Sequence, residues 1–420
     1  ADHSRRSCVL RWKWGRRVVT RKRDLRTGRS VWQKKRAPSV PGWKLLADAR
    51  ADVVVIGAGI SGAMVADALS EVGLDVLIVD RRGPVHGSTV ASTALLQYEI
   101  DQPLTKLSRQ IGEEAAIRAW RRSRLALDGL YARIRALSLA PMRRRDSLYL
   151  AGDLLDAEAL SHEGEARRRA GFETAFLGTT AVEERFGIAH RAALLGYDNV
   201  EVDPRALAAG FLRTAIGRGA RLASPVEIVD IDARPRSVVL RTKASTHISC
   251  RHVVFCTGYE IPLGLEPKGH QAISTWAIAT PAQPRRLWPE RCFVWEASEP
   301  YLYLRTTPDG RVICGGEDED FVDEEARDRL IAAKTKTLQR KLAGLFPELD
   351  IRADFAWAGT FGASATGLPT IGELPGLKNC WAVMGFGGNG ITYSRIGAEI
   401  VRAGLTGKGD PDAELYAYRT

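Results

Sequence analysis

The stretch that decides the fold is VVVIGAGISGAMVADALSEVGLDVLIVD, residues 53–80. Its start belongs to an apolar run at 52–56, which has the length of a strand and is typical of a parallel strand buried on both faces. Residues 60–72 then place apolar side chains at helical spacing, and residues 74–80 form a second apolar run of strand length. The pattern predicts a βαβ unit.

The glycines between the first strand and the helix follow the spacing GxGxxG. Gly57 permits a tight turn, Gly59 lets the backbone approach a pyrophosphate, and Gly62 lets the helix pack close to the strand. The start of the helix offers N–H groups to that pyrophosphate. Asp80 ends the second strand 18 residues after Gly62, where its carboxylate can accept the hydroxyls of an adenosine ribose. Together these features predict dinucleotide binding rather than a chance glycine turn.

Three later segments indicate which dinucleotide is bound. Residues 87–101 (GSTVASTALLQYEID) place small and hydroxyl side chains where a loop must cross a cofactor closely, and Thr257-Gly258 follows a predicted strand at 252–256. Residues 385–391 (GFGGNGI) form another glycine turn before a predicted helix from about residue 390 to 403, which points its N-terminus at the ligand. Contacts spread so widely along the chain favour FAD lying across the sheet over NAD. The alternative for 385–391 is an ordinary helix entry.

These residues resemble one known family. The fingerprint at 53–80, the segment at 87–101, the Thr257-Gly258 exit and the ending GLPTIGELPGL…GFGGNGI are similar to the D-amino-acid-oxidase-type (DAO) FAD-dependent oxidoreductases. The resemblance covers residues from about 24 to 420 and is closest to the amine-oxidising branch, similar to gamma-glutamylputrescine oxidoreductase. It implies an α/β fold with a discontinuous Rossmann-like FAD-binding domain and a second α+β substrate domain, built on an antiparallel sheet that roofs the flavin. It also implies hydride transfer to the flavin from a carbon bearing an amine, and hydrolysis of the resulting imine.

The resemblance also carries FAD contacts over, position by position. The residues that match the family's motifs are Gly57, Gly59, Ile60, Ser61, Gly62, Asp80, Arg81, Ser88, Thr89, Ser92, Thr93, Val226, Thr257, Gly258, Gly387, Gly388, Asn389, Gly390 and Ile391. Some relatives bind flavin covalently through a cysteine in the segment before the GLP turn. Residues 360–367 here read TFGASATG and contain no cysteine, so we expect noncovalent FAD.

Amino-acid oxidases of this family commonly carry an arginine near that same segment, which clamps the substrate carboxylate. Residues 359–367 contain none, which favours a primary or secondary amine without an α-carboxylate. Arg305 offers an alternative clamp, because it shares strand parity with Tyr301 and Tyr303 on a predicted strand at 301–305. The three side chains roof the substrate if that face meets the flavin, and otherwise they face solvent or core.

Two further candidates precede the predicted strand at 273–280. Lys268 could polarise oxygen or a water near the flavin, and His270 could take the amine proton. The alternative for both is a solvated turn residue. Because an amine must be deprotonated to lose hydride, activity is expected to rise with pH.

The charge of the chain is concentrated at its start. Residues 1–50 hold 16 Lys and Arg against three Asp, whereas the other 370 residues hold 45 basic and 47 acidic side chains. We predict a basic, largely disordered leader at 1–36, with Trp12, Trp14 and Trp32 among its charges. Nucleic-acid or membrane-surface binding through this leader, or a transit peptide, are the alternatives to a simple extension. For the body of the chain no nucleic-acid partner is expected.

Composition excludes several classes of protein. The six cysteines form no CxxC pair and no metal-binding spacing, so neither a disulfide scaffold nor a metal site is expected. The expected location is a reducing one, the cytoplasm. No apolar run is long enough for a membrane span. The expected partners are a small-molecule amine and, as electron acceptor, oxygen or a carrier; the sequence does not choose between oxidase and dehydrogenase. The predicted domains are an FAD-binding part at 45–105, 195–265 and 355–420 and a substrate part at 106–194 and 266–354.

Overall fold

The computed structural model describes residue 20 and residues 22–262 and 264–418. The strands in chain order are β1 (Arg26–Gly28), β2 (Ala49–Arg50), β3 (Val53–Ile56), β4 (Val76–Val79), β5 (Leu95–Leu96), β6 (Met142–Leu150), β7 (Thr174–Leu177), β8 (Ala193–Val202), β9 (Arg221–Ala223), β10 (Ile228–Arg234), β11 (Ser237–Thr242), β12 (His247–Cys250), β13 (His252–Phe255), β14 (His270–Ala279), β15 (Phe293–Glu296), β16 (Leu302–Thr306), β17 (Val312–Glu319), β18 (Phe355–Ser364), β19 (Thr370–Glu373) and β20 (Cys380–Met384). The helices are α1 (Ile60–Glu71), α2 (Leu104–Ile111), α3 (Glu113–Leu137), α4 (Ala157–Arg169), α5 (Thr179–Phe186), α6 (Pro204–Gly217), α7 (Glu324–Arg329), α8 (Ile331–Leu345), α9 (Gly390–Leu405) and α10 (Ala413–Tyr416).

The predicted βαβ unit forms the centre of a six-stranded sheet with the order β19-β20-β13-β3-β4-β9. All neighbours pair in parallel except β19 and β20. Val53 and Val55 pack with α1, α6 and α9 on one face, and Val54 packs on the other face with a four-stranded sheet, β10-β11-β12-β2. All three valines are fully buried, which explains why this strand reads as one continuous apolar run.

The second large layer is a ten-stranded sheet with the order β1-β18-β14-β17-β16-β15-β6-β8-β5, in which β7 also pairs with β8. Its pairings are antiparallel except for β15 with β6. Helix α8 covers one face, where Leu338 and Leu342 pack against Trp276 and Ile278. The opposite face looks toward the parallel sheet, so the predicted fold class is confirmed.

Two helical segments show how local residues set helix ends. Asp203 followed by Pro204 is a helix-start signal, and α6 begins there, with Asp203 Oδ1 accepting from the N–H groups of Arg205 and Ala206. The helical segment at 324–345 consists of α7 followed by α8. At the junction of the two helices, the carbonyl of Arg327 accepts a hydrogen bond of 3.1 Å from Trp276 Nε1.

The prediction of a disordered leader is wrong for residues 22–36. Strand β1 pairs antiparallel with β18 at the edge of the large sheet. Leu25, Val31 and Trp32 are buried. The sequence did not indicate this, because these few apolar residues lie among many basic ones and follow no apolar period. Residues 1–19 and 21, with Trp12 and Trp14, lie outside the described part, so the ideas about that segment stay predictions.

The predicted division into two domains also stays a prediction. It places residues 195–202 and 355–364 in the FAD-binding part. They belong to β8 and β18, which hydrogen-bond in the large sheet with β6 and β14. None of the helices in the described ranges combines the length and the hydrophobicity that a membrane span requires.

Candidate functional site

A deep cavity lies between the two large sheets, at the carboxyl ends of β3, β4 and β13. Ligands of open parallel sheets bind at this edge, because the loops that leave the strands meet there. The β3–α1 turn, the loop after β4, the loop after β13 and the turn before α9 form one side. Side chains of β14, β15, β16 and β18 form the other side.

The β3–α1 turn uses its three glycines differently. Gly57 has a φ of +113°, and a Cβ there would collide with the carbonyl of Cys256. A Cβ on Gly62 would collide with the carbonyl of Gly57, so this residue permits the close approach of helix and turn. At Gly59 a Cβ would meet only Thr89 Oγ1, at 3.2 Å, and would otherwise project into the cavity. Gly59 therefore keeps a surface open for a ligand.

Asp80 fixes the geometry of the same turn. Its Oδ2 accepts from the N–H of Ala58 at 2.8 Å, and its Oδ1 accepts from Arg82 and Gly83 at 2.7 and 2.8 Å. The carboxylate also lines the cavity. Because each carboxylate oxygen can accept more than one hydrogen bond, binding of a ribose hydroxyl stays a prediction.

The structure brings the predicted FAD contacts together. All of them except Gly62 line the cavity, namely Gly57, Gly59, Ile60, Ser61, Asp80, Arg81, Ser88, Thr89, Ser92, Thr93, Val226, Thr257, Gly258, Gly387, Gly388, Asn389, Gly390 and Ile391. Gly62 lies behind the turn, in the packing position described above. Their contacts with the cofactor stay predictions.

The polar atoms of the cavity fit a polar, elongated ligand such as FAD. On the parallel-sheet side of the lining, five buried side-chain atoms have no hydrogen-bond partner among the described residues: Arg81 Nη1, Ser88 Oγ, Gln97 Nε2, Thr257 Oγ1 and Asn389 Oδ1. Buried polar groups in proteins are nearly always paired, so this concentration indicates groups that a ligand completes. They extend from the β4 loop to the start of α9, which is the path that the three predicted glycine segments indicate.

The opposite wall is aromatic. Tyr301 and Tyr303 line it as predicted, with ring centroids 5.5 Å apart. Burial raises the pKa of both hydroxyls well above their ordinary value, so they remain protonated donors at neutral pH. Trp295 and Phe361 also line this wall; the sequence analysis missed them, since nothing in a single strand shows which face meets the cavity.

Arg305 does not line the cavity, so its predicted role as a carboxylate clamp is not supported. Its side chain is 1% exposed. Its Nη1 donates to the carbonyls of Ala94 and Val202 at 2.6 and 3.1 Å, and its Nη2 lies 3.9 Å from Glu201. Strand parity with Tyr303 was correct, but at this end of β16 the same face is covered by other backbone segments.

The predicted roles of Lys268 and His270 are also not supported by their positions. Lys268 is exposed in the turn before β14, outside the cavity lining. His270 lies behind the turn at 385–391, where its Nε2 is 3.1 Å from the Thr370 hydroxyl and its ring packs against Gly385. Burial lowers the pKa of His270, partly offset by a hydrogen bond with the Gly385 backbone. A single sequence does not reveal these distant partners.

Asp101 is a lining residue that the sequence analysis quoted but did not assign. It ends the segment 87–101, and its Oδ2 accepts from the N–H of Gly388 at 2.6 Å. Burial raises its pKa. The basic side chains in the described lining are Arg81 and Arg82, which pair with Glu260 beside Asp80. The aromatic wall therefore presents no basic side chain among the described residues.

Comparisons with known proteins agree with this geometry. The family model described as "FAD dependent oxidoreductase", DAO, matches residues 52–403. A curated relative, "Probable oxidoreductase OrdL" of Rhizobium meliloti (strain 1021), is 25% identical over 376 residues, which cover 86% of this chain and 84% of that protein.

Two solved structures share the fold. A glycine oxidase from Geobacillus kaustophilus has a TM-score of 0.72 at 20% identity, covering 88% of this chain and 99% of that one. An L-proline dehydrogenase from P. horikoshii has a TM-score of 0.72 at 18% identity, covering 88% and 97%. The family model spans most of the sequence and contains every predicted FAD contact. The chain therefore belongs to the DAO family of FAD-dependent oxidoreductases.

Proposed function

We propose that this enzyme oxidises the C–N bond of an amine that carries no α-carboxylate. The observation that carries the proposal is the aromatic wall of the cavity. Its described lining offers the hydroxyls of Tyr301 and Tyr303 but no guanidinium or ammonium group to pair with a substrate carboxylate. Arg305, the one alternative clamp that the sequence suggested, is held by the carbonyls of Ala94 and Val202.

The charge of the lining supports the same conclusion at its other end. Arg82 donates to Glu260 at 2.9 Å and to the carbonyl of Arg23 at 2.7 Å, and Arg81 lies 3.5 Å from Glu260. Both arginines are thus paired with Glu260 beside Asp80, at the edge of the parallel sheet where the predicted adenosine site lies. An α-amino acid brought to the aromatic wall would bury its carboxylate without a cationic partner, which is costly.

The roles of the protein side chains follow from their positions. Bound FAD would supply the acceptor for the hydride that leaves the substrate carbon. The buried hydroxyls of Tyr301 and Tyr303 orient the substrate, and the aromatic wall excludes water from it. The substrate must bind, or become, the neutral amine, because an ammonium has no lone pair to stabilise the carbon as the hydride leaves.

We also propose that the electron acceptor is oxygen or an electron carrier, and that the enzyme is cytoplasmic. The names of the two structural neighbours, an oxidase and a dehydrogenase, span both kinds of acceptor. The five cysteines in the described residues are all free thiols, as is typical of a reducing compartment. The proposed partner is a small-molecule amine.

Anaerobic bleaching of the flavin tests the substrate proposal. Primary and secondary amines, among them diamines and N-acylated diamines, are compared with D-amino acids and sarcosine at equal concentrations. We expect amines without an α-carboxylate to bleach the flavin fastest. A D-amino acid or sarcosine that bleaches it faster than every such amine contradicts the proposal and favours an amino-acid oxidase or dehydrogenase.

A further inference from the structure

A β-bulge interrupts the pairing of β14 and β17 beside the aromatic wall. Ser274 lies opposite Glu319, and Trp276 lies opposite Gly316. One residue of β14 therefore faces two residues of β17. Gly316 has a φ of +136°, and the residue after it, Glu317, has a φ of +61°, so the backbone turns sharply here. Bulges of this kind re-aim side chains and are common beside active sites.

The bulge shifts the alternation of side chains along β17 by one residue. Glu317 and Glu319 both pair with Lys334 of α8, with O–N distances of 3.7 and 2.6 Å, so they point away from the cavity. Asp318 lies between them and occupies the opposite face, next to the lining residue Thr275, although Asp318 itself is not among the residues that line the cavity. On that face the residue across the bulge is Thr275, which lines the cavity. A hydrogen bond from its hydroxyl lowers the pKa of the Asp318 carboxyl.

The carboxyl of Asp318 is largely removed from water. Its Oδ1 is inaccessible to water and has no hydrogen-bond partner in the part of the chain that the structure describes. Burial is the largest cause that raises its pKa to about 7, opposed by Thr275. Its charge in turn raises the pKa of Tyr259, Tyr301 and Tyr303, behind the larger effect of burial, so the carboxyl lies within electrostatic range of these three hydroxyls.

A second buried polar group on the same wall has no protein partner. Trp295 is 7% exposed, lies opposite Tyr303 in the sheet and lines the cavity. Its Nε1 donates to no atom among the described residues. A carboxylate next to a wall of tyrosine and tryptophan rings can recognise organic cations, through ion pairing and cation–π contacts.

We propose that Asp318 binds a second, non-reacting ammonium group of the substrate, so that the preferred substrates are diamines or polyamines. This inference rests on the proposed amine oxidation and names its substrate class. A carboxylate stabilises the charged form of an amine beside it. The nitrogen that is oxidised has to be neutral, so a cation held by ionised Asp318 is a different nitrogen of the same molecule.

The experiment compares 1,4-diaminobutane with butylamine on the FAD-loaded enzyme without oxygen. Rapid-mixing measurements of flavin reduction give an apparent Kd and a limiting rate for each amine. We expect the wild type to bind the diamine at least about tenfold more tightly than the monoamine. Asp318→Asn is expected to remove that preference while butylamine changes by less than about threefold, and Asp318→Glu, which keeps the charge, is expected to retain it.

Asp320→Asn is the matched control, because Asp320 is exposed just after β17 and accepts only from Gln271 at 2.8 Å. It is expected to keep the wild-type preference. A wild type without the preference, or an Asp318→Asn variant that keeps it, overturns the inference. If Asp318→Asn does not retain FAD, the inference is decided by the comparison of the two amines on the wild type alone.

The failure of the proposed function has a separate signature. Binding of each amine is also followed by the shift of the flavin absorbance, which needs no turnover. If no amine reduces the flavin, the proposed amine oxidation is wrong. The two binding constants still decide whether Asp318 selects a second cation.

Discussion

The carboxylate of Asp101 accepts a 2.6 Å hydrogen bond from the N–H of Gly388. This contact joins the end of the 87–101 segment to the glycine turn before α9, although the two lie 287 residues apart in the chain. A Cβ on Gly388 would lie 2.6 Å from Asp101 Oδ1, so the pairing leaves no room for a side chain. The turn is thus positioned by a partner from a distant segment of the chain.

Replacement of Gly388 by alanine should displace this turn and weaken FAD binding. We expect Gly388→Ala to raise the Kd for FAD by about tenfold or more, roughly 1.4 kcal/mol. Fluorescence titration of the apoprotein with FAD measures it. Gly178→Ala is the control, because Gly178 is exposed, has a negative φ and has no neighbour near an added Cβ. An unchanged Kd in Gly388→Ala would show that the turn does not contact the cofactor.

The flavin should be released from the unfolded protein. Residues 360–367 contain no cysteine, and in the described part of the chain Cys256 is the one cysteine that lines the cavity, with a thiol whose pKa burial raises. A buried, protonated thiol is a poor nucleophile. Acid precipitation should therefore leave a yellow supernatant and a colourless pellet, and colour that remains with the pellet would mean a covalent bond.

A side chain at position 59 should occupy the space that the turn keeps open. We expect Gly59→Val to yield folded protein with less than about a tenth of the wild-type flavin content, because the valine projects toward the predicted pyrophosphate site. The ratio of flavin to protein absorbance measures this, and circular dichroism checks the fold. Normal flavin content in Gly59→Val would remove the turn from the cofactor site.

Arg305 should matter for stability rather than for substrate choice. Arg305→Ala leaves the buried carbonyls of Ala94 and Val202 without their donor, at about 1–3 kcal/mol each, so a loss on the order of 3 kcal/mol is expected. The preference for amines over amino acids should not change. Chemical denaturation and the ratio of kcat/KM values measure the two effects, with exposed Arg352→Ala as control. A selective loss of amino-acid oxidation in Arg305→Ala would restore it as a clamp.

The preference for diamines should depend on pH. The pKa of Asp318 is raised to about 7, so its charge is present above that value and is lost as the pH falls through it. Asp101 adds to the raised pKa, as does Glu317, while Lys334 lowers it. The ratio of butylamine Kd to diamine Kd should therefore fall between about pH 8.5 and about pH 6.

The ionisation of the reacting nitrogen affects both amines, so its effect largely cancels in this ratio of Kd values. The rate of flavin reduction, in contrast, is expected to rise with pH. Asp318→Asn should show a low ratio at every pH. A wild-type ratio that stays constant across this range would mean that Asp318 does not bind the second cation.

Local sequence patterns predicted the part of the site that is built from consecutive residues. The turn at Gly57 and Gly59, and the strand that ends at Asp80, depend on neighbours within one βαβ unit, so spacing alone located them. Arg305 shows where this reasoning ends, because strand parity gives the face of a side chain and not what covers that face. Leu25 and Trp32 show the same limit, since their partners lie in distant strands.

Asp318 was missed for a related reason. Alternation along β17 would group position 318 with residues on the α8 side, and only the pairing of β17 with β14 reveals the extra residue that reverses it. The signal in the sequence, two glycines followed by an acidic run at 315–320, is visible only once the register is known.

The bulge in β17 has a consequence for how this enzyme and its relatives can diverge. A regular ladder needs one residue fewer between Gly316 and Glu319, because Glu317 and Asp318 together face Thr275. Deletion of residue 317 would leave Asp318 opposite Thr275 and keep its carboxylate on the cavity side, whereas deletion of residue 318 would place the longer side chain of Glu317 there. Either single deletion retains a carboxylate on this face and changes only its reach. Within this fold, the preferred length of a cationic substrate can therefore change through the loss of one residue in one strand, and alignments that treat such gaps as noise would overlook the change.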